Sequence, residues 1–386
     1  MTIHPFRIHV PDAALADLRQ RLAHTRWPDA IPGSGSTYGL DLDYMRELRD
    51  HWINGFDWRA HESEWNRLPH FRCEIDGMDI HFIHARGRGP APLPIVLTHG
   101  WPGSFLEMLK IIPLLTDPQA SGGDPADAFD VVVPSMPGYG FSSRPNRQGV
   151  DCFVMADLWA KLMKELGYAK FIAQGGDFGS DVSTVLAWKH PERILGLHLN
   201  SIPPSYRPDP EAPARAETDE ERQFHSDEAR WNEEKGGYCL VQVTQPQTLA
   251  FAMSDSPMGL AAWIIDRFRD WSDCDGDVER RFTRDELLAN VSLYWLTETA
   301  GSSMRLYYES RKRLLHLGKG ERISVPTAVA KFEKEAPFPP RSWVERGYNL
   351  QRWTTFPCGG HFAAMEEPEK LAQDIRKFAR TLPLRT

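Results

Sequence analysis

FIAQGGDFGSDVSTVLAW, residues 171–188, reads as a short apolar strand, a glycine-crowded turn and a helix. In its second half Val182, Val185 and Leu186 recur at helical spacing and give the helix an apolar face. Between the two lies Gly175-Gly176-Asp177-Phe178-Gly179, the form Gly-x-nucleophile-x-Gly. Its flanking glycines permit a sharp strand-to-helix turn that pushes the central side chain into the open. Such a turn usually carries serine; here it carries a carboxylate. A carboxylate displaces a leaving group at a saturated carbon and is itself esterified, so alkyl transfer to Asp177 followed by hydrolysis is the chemistry expected. The plainer alternative is a glycine turn whose Asp caps the following helix.

Outward from this turn, strands and helices alternate. FRCEIDGMDIHFIHA (71–85) has alternating apolar positions on both sides of Asp76-Gly77, the pattern of an antiparallel hairpin. A buried strand at 94–100, a helix at 105–116, a strand at 130–136 and a helix at 155–167 lead into the turn. After the helix at 178–190, ILGLHLNS (194–201) makes a sixth strand. Pro203, Pro204, Pro208, Pro210 and Pro213 then break the rhythm, and residues 214–315 carry helical patterns such as GLAAWIIDRFRDW and RDELLANVSLYWL. TAVAKFEK (327–334) and a strand near 349–356 resume the alternation, and an amphipathic helix at 366–381 closes the chain.

This pattern predicts an α/β fold with a mostly parallel eight-stranded sheet and a helical lid inserted between strands 6 and 7. The expected division is 1–70 as an N-terminal wrapping segment, 71–203 and 316–386 as the two parts of the core, and 204–315 as the lid. The first of these opens with an amphipathic helix at 11–26, where Leu15, Leu18 and Leu22 share a face.

The 386 residues suit one main core with accessory segments. A formal charge of −8 argues against nucleic acid as a partner, and no apolar run approaches the roughly 18 residues that span a bilayer. No export signal is visible, so a soluble, cytoplasmic protein without a membrane partner is expected. Five cysteines, at 73, 152, 239, 274 and 358, show no metal-ligand spacing, and neither a structural metal nor a cofactor is expected. Homo-oligomer formation is left open.

An ester on Asp177 needs an activated water, and an imidazole held by a carboxylate supplies it near neutral pH. His361, in PCGGHFAAMEEPE, follows the last predicted strand on the sheet edge from which Asp177 emerges. The acid should follow the seventh strand, where KFEKEAPFPP offers Glu333 and Glu335. Glu335, at the strand's end where the chain turns into Ala336-Pro337, is the choice. Backbone donors must stabilise the oxyanion of ester hydrolysis, and the N–H groups of Trp101, in the loop HGWPG, and of Phe178 are the candidates.

HGWPG, GGDFG, FEKEAPFP and GGHFAAMEEP, in this order, resemble the epoxide hydrolases of the α/β-hydrolase fold, in the branch of microsomal and fungal enzymes. The opening PFRIHVPDAALADLRQRLAHTRWPD is similar to that branch's N-terminal region, so the resemblance covers nearly the whole chain. It implies a small apolar epoxide and water as reactants, and two lid tyrosines that hydrogen-bond and protonate the epoxide oxygen. By local pattern these are Tyr238 in GGYCLVQVTQPQT and Tyr307 in SSMRLYYES, with Tyr308 and Tyr294 as nearby competitors. Phe178 stands where related enzymes often have Trp, and the membrane association of animal microsomal members, which rests on an N-terminal anchor, is not expected to carry over. The rival activities are haloalkane dehalogenation, which uses the same nucleophile but needs indole donors for a halide, and non-catalytic ligand binding on the same fold.

Overall fold

In the computed structural model, which describes residues 2–208, 217–335 and 337–383, nine strands form one sheet. They are β1 (Ile3–Phe6), β2 (His70–Ile75), β3 (Met78–Ala85), β4 (Leu93–Thr98), β5 (Phe129–Pro134), β6 (Phe171–Gly175), β7 (Ile194–Leu199), β8 (Ile323–Phe332) and β9 (Tyr348–Phe356). Their spatial order is β1-β2-β3-β5-β4-β6-β7-β8-β9. From β5 to β9 every neighbouring pair is parallel, whereas β1, β2, β3 and β5 pair antiparallel.

The expected count of eight strands is one short. The additional strand is β1, which pairs with β2 at the sheet's edge. Its four residues, IHPF, are too few to show a period, and Pro5 is tolerated only because an edge strand can spare an N–H. The expected helix at 105–116 is also divided, into a single tight turn at Phe105–Met108 and a short helix at Ile111–Thr116. Pro210, Pro213 and Ala336, used in reading the breaks, lie outside the described residues.

The central strands are buried on both faces, as their unbroken apolar runs require. Ile95, Val96, Leu97, Val131, Val132, Val133, Ile172 and Ala173 are fully shielded from solvent. Each large aliphatic side chain so placed contributes roughly 1.5–3 kcal/mol relative to exposure. In the β2–β3 hairpin, Asp76 and Gly77 both take positive φ, 52° and 75°, the turn that matches the twist of its strands.

Between β7 and β8 the chain runs through helices, among them Asp219–Lys235, Gly237–Thr244, Pro246–Asp255, Pro257–Trp271, Arg284–Leu296 and Ala300–Ser310. Capping boxes start two of them, Thr218 with Glu221 and Thr283 with Glu286. This insertion is tied to the N-terminal residues: the Trp52 indole N–H donates to Ser292 Oγ at 3.0 Å, and Arg21 bonds Asp255. Among the described residues no single helix is long and apolar enough to cross a membrane.

Candidate active site

Asp177 follows β6 and begins the helix Phe178–Lys189, with φ 50° and ψ −133°. A non-glycine residue there is strained by roughly 1–3 kcal/mol, so the surroundings must impose the conformation. Two sets of bonds do. The Asp177 N–H donates to Ser201 Oγ at 2.8 Å, and its carbonyl accepts from the Ser180 N–H at 2.8 Å and the Ser180 hydroxyl at 2.6 Å. The glycines serve a different end from the one expected of them. None of Gly175, Gly176 and Gly179 needs a positive φ. They are required for close approach: a Cβ on Gly179 would lie 2.0 Å from the Thr98 carbonyl oxygen, and one on Gly175 would lie 2.1 Å from that of Gly179. The turn is sharp because backbones touch, and the unusual torsion falls on the acid itself.

The loop after β4 closes on Asp177 from the other side. A Cβ on Gly100 would lie 2.2 Å from Asp177 Oδ1. The Trp101 N–H donates to that oxygen at 2.8 Å, while the second expected donor, the Phe178 N–H, is not bonded to it. The insertion fixes this loop: Asn290 Nδ2 donates to the Pro102 carbonyl at 2.8 Å and the Tyr294 hydroxyl to the Gly103 carbonyl at 2.6 Å. His99 is neutral, its pKa held down at about 4 by burial. Its Nε2 accepts the Met136 N–H at 3.2 Å, so it too belongs to the scaffold.

The structure brings His361 and Glu335 to Asp177. His361 Nε2 is 3.4 Å from Asp177 Oδ2, and its Nδ1 is 2.9 and 3.1 Å from the two oxygens of Glu335. Burial opposes charge on this imidazole, but the Glu335 carboxylate and then Asp177 outweigh it and hold its pKa well above the ordinary value. Glu333 is exposed, 3.9 Å from Lys331, and has no bond to His361. The loop carrying His361 is clamped by a residue not anticipated from the sequence. Glu366 accepts the N–H groups of Asp273, Gly360 and Phe362 at 2.8, 3.1 and 3.0 Å. That explains one of the paired glutamates in GGHFAAMEEP. Trp271, also not anticipated, supports the imidazole: its carbonyl accepts the His361 N–H at 2.9 Å, and its ring lies 4.9 Å from the histidine ring.

Tyr238 and Tyr307 stand over Asp177 on two helices of the insertion. Their rings are 6.0 Å apart and nearly perpendicular. Trp101 stacks on Tyr238 at 5.6 Å and meets Tyr307 edge-on, and the Phe178 ring meets Tyr307 at 4.7 Å. Burial raises both phenols well above the ordinary tyrosine value, and the nearby Asp177 charge adds to it, so both are fully protonated. Their competitors are otherwise engaged. Tyr308 lies beneath Arg311 and Lys312, 4.5 and 4.1 Å from its ring centre, and Tyr294 gives its proton to Gly103.

Asp177, His361, Glu335, Tyr238 and Tyr307 all line one cavity of about 440 Å³ with walls that include Phe153, Ile202, Phe224 and Trp231. A larger open groove of about 1650 Å³ runs between residues 25–46 and the insertion. It contains neither Asp177, His361 nor Glu335, so size does not select the site; convergence of groups does. Among the described residues no group of three or more His, Cys, Asp or Glu side chains could hold a metal ion.

Comparison with known proteins places the chain in a family. Residues 3–108 match the family described as "Epoxide hydrolase N terminus", and residues 94–368 match the "alpha/beta hydrolase fold". Epoxide hydrolase 1 of Sus scrofa is 38% identical over 98% of this chain and 88% of its own length. The epoxide hydrolase structure from Aspergillus niger superposes with a TM-score of 0.86 at 30% identity, over 99% of this chain and 97% of that one. The juvenile hormone epoxide hydrolase of the silkworm Bombyx mori gives 0.84 at 30% identity, over 98% and 93%. With a shared sequence of this extent, a common fold and an elbow carboxylate facing a carboxylate-held histidine and two protonated phenols, the chain belongs to the epoxide hydrolase family.

Proposed function

We propose that this enzyme hydrolyses a small, mainly apolar epoxide to a vicinal diol through an ester on Asp177. The observation that carries the reading is a single cavity with the nucleophile on one side and two protonated phenols on the other. Asp177 Oδ2 is the attacking atom: Oδ1 is held by the Trp101 N–H, and 3.4 Å to His361 leaves a lone pair on Oδ2 free. As the C–O bond of the oxirane breaks, Tyr238 and Tyr307 hydrogen-bond the leaving oxygen, and one of them delivers its proton to the nascent alkoxide. The phenols' raised pKa suits this work, because a far more basic alkoxide still takes the proton while the resting site stays neutral there.

Esterification removes the charge from Asp177. One of the influences that raises the His361 pKa then disappears, and the imidazole becomes able to take a proton from water. Hydroxide equivalents attack the ester carbonyl carbon, the Trp101 N–H stabilises the oxyanion on Oδ1, and Glu335 stabilises the imidazolium. Collapse expels the diol, whose leaving oxygen takes the proton from the His361 imidazolium, and the proton left on the Asp177 carboxyl returns to the tyrosinate, so that carboxylate and phenol are both regenerated. The helical insertion acts as a lid that places the phenols and keeps bulk water from the ester. A dehalogenase would need an indole donor directly after the nucleophile, where this chain carries Phe178. A cytoplasmic location belongs to the same reading and is checked by cell fractionation.

The experiment is a panel of epoxides and haloalkanes with product analysis, repeated with His361→Gln. Epoxides alone should yield product, as diols, and the variant should accumulate protein whose mass has risen by that of the substrate. Halide release with no diol would defeat the proposal.

A further inference from the structure

The mechanism leaves two carboxyl groups of the cavity without a task, Glu228, which lies 3.7 Å from His225 Nδ1, and Asp181, which faces no such group. Asp181 lies one turn beyond Asp177 on the same helix, roughly 6 Å further along its axis. It lines the cavity together with Cys152, Phe153, Val185 and Ser205. Its Oδ1 accepts a hydrogen bond from the Ser205 hydroxyl at 2.9 Å, and no cation forms an ion pair with it among the described residues. The arginines that line the same cavity are engaged elsewhere. Arg207 donates to the carbonyls of Pro204 and Tyr206, Arg311 covers Tyr308, and the Arg313 guanidinium lies 3.9 Å from the centre of the Phe153 ring. The Cys152 thiol is 3.4 Å from Ser310 Oγ, and the Tyr348 hydroxyl is 3.3 Å from that of Thr184.

A carboxyl group in such a place is unfavourable for the empty protein. Burial first, and the neighbouring Asp177 charge with it, push its pKa up to about 7 against the help of Ser205. An acid that supported only the fold would be completed by a cation or by several backbone N–H groups, as Glu366 is. Asp181 instead keeps acceptor capacity toward the space that the substrate fills, among walls that are otherwise mainly apolar.

We propose that Asp181 determines substrate specificity by accepting a hydrogen bond from a donor on the body of the epoxide, a hydroxyl or an ammonium group, about one helical turn from the oxirane. The preferred substrates are then functionalised epoxides rather than plain hydrocarbons. This rests on the reading that the 440 Å³ cavity admits the epoxide. A pocket that leaves a polar group unmatched discriminates strongly against the analogue lacking the partner.

The test is kcat/KM for terminal epoxides whose far end carries a methyl, methoxy, hydroxyl or ammonium group on spacers of increasing length. It is run on the alkaline side of the Asp181 value, where the carboxylate only accepts. The wild-type enzyme should favour a donor-bearing member over its methyl and methoxy counterparts by about tenfold at the matching length. Asp181→Leu should level the series, removing the advantage of the donor-bearing members over their methyl and methoxy counterparts. Asp181→Asn, nearly isosteric and able to donate, should raise the methoxy member to the hydroxyl one and lose any ammonium preference. If no donor is favoured at any spacer length in the wild type, or if the preference survives both substitutions, the inference is overturned. Failure of the wild type to turn over even methyl epoxides would instead overturn the broader reading of the cavity.

Discussion

The two halves of the site are held in different ways. On the sheet edge, Asp177, Trp101, Glu335 and His361 are placed by backbone: strand ends, a strained torsion and a chain of hydrogen bonds of 2.8–3.1 Å. On the insertion, Tyr238 and Tyr307 are placed by rings packed on Trp101, Trp271 and Phe178. The first kind of support fixes an atom's position through its own polar contacts. The second fixes the ring, and the hydroxyl's side-chain partner is the other phenol of the pair, which a ligand can replace. A nucleophile that must be aimed and a proton donor that must wait for its acceptor call for these two solutions.

Four outcomes would break or sharpen this contrast. Asp177→Ala should lower turnover by roughly 10⁴-fold or more, because no other group can form the ester. The variant should still fold, since the side chain contributes little packing; near-normal activity in a folded variant would end the assignment. Tyr238→Phe and Tyr307→Phe should each slow ester formation by roughly 10²-fold, with the double change approaching complete loss. Because ring packing survives these substitutions, the melting temperature should hardly move. A silent Tyr307→Phe beside a damaging Tyr308→Phe would show the wrong phenol had been chosen.

The two chemical steps should also part company with pH. His361 has a raised pKa in the free enzyme, and neutralising Asp177 in the ester lowers it. Ester hydrolysis needs the neutral imidazole and should slow as pH falls through that lower value, while ester formation, needing only ionised Asp177, continues. Single-turnover rates should show ester accumulating toward acid pH; both steps following one titration would contradict the assignment of His361. The smallest effect is structural. Tyr294→Phe leaves the buried Gly103 carbonyl without its donor and should cost about 1 kcal/mol, visible in melting, with a modest loss in rate as the Trp101 loop loosens.

Most of the sheet was legible because buried strands and amphipathic helices have distinct periods. The elbow, HGWPG and the order of acid and histidine pointed to groups that the fold brings within hydrogen-bonding reach. What escaped had no period or motif to carry it. β1 is four residues at an edge, Ser201 is one serine after a strand, and Asp181 reads as a polar residue on a helix. The glycines were visible, but their purpose was not, since close approach and free torsion require the same residue. Tyr307 and Tyr308 are adjacent in sequence, and only the helix's orientation separates them, one buried against Phe178 and the other half-buried under basic side chains.

The central claim is that the diol's new oxygen comes from Asp177 and that water replaces it on the enzyme. A single turnover in heavy-oxygen water, with enzyme in excess over epoxide, tests this directly by mass spectrometry of the diol and of the peptide containing Asp177. The account predicts unlabelled diol and label in that peptide. Label in the diol during the first turnover, with none in Asp177, would mean that water attacks the epoxide itself and that Asp177 serves only as a base.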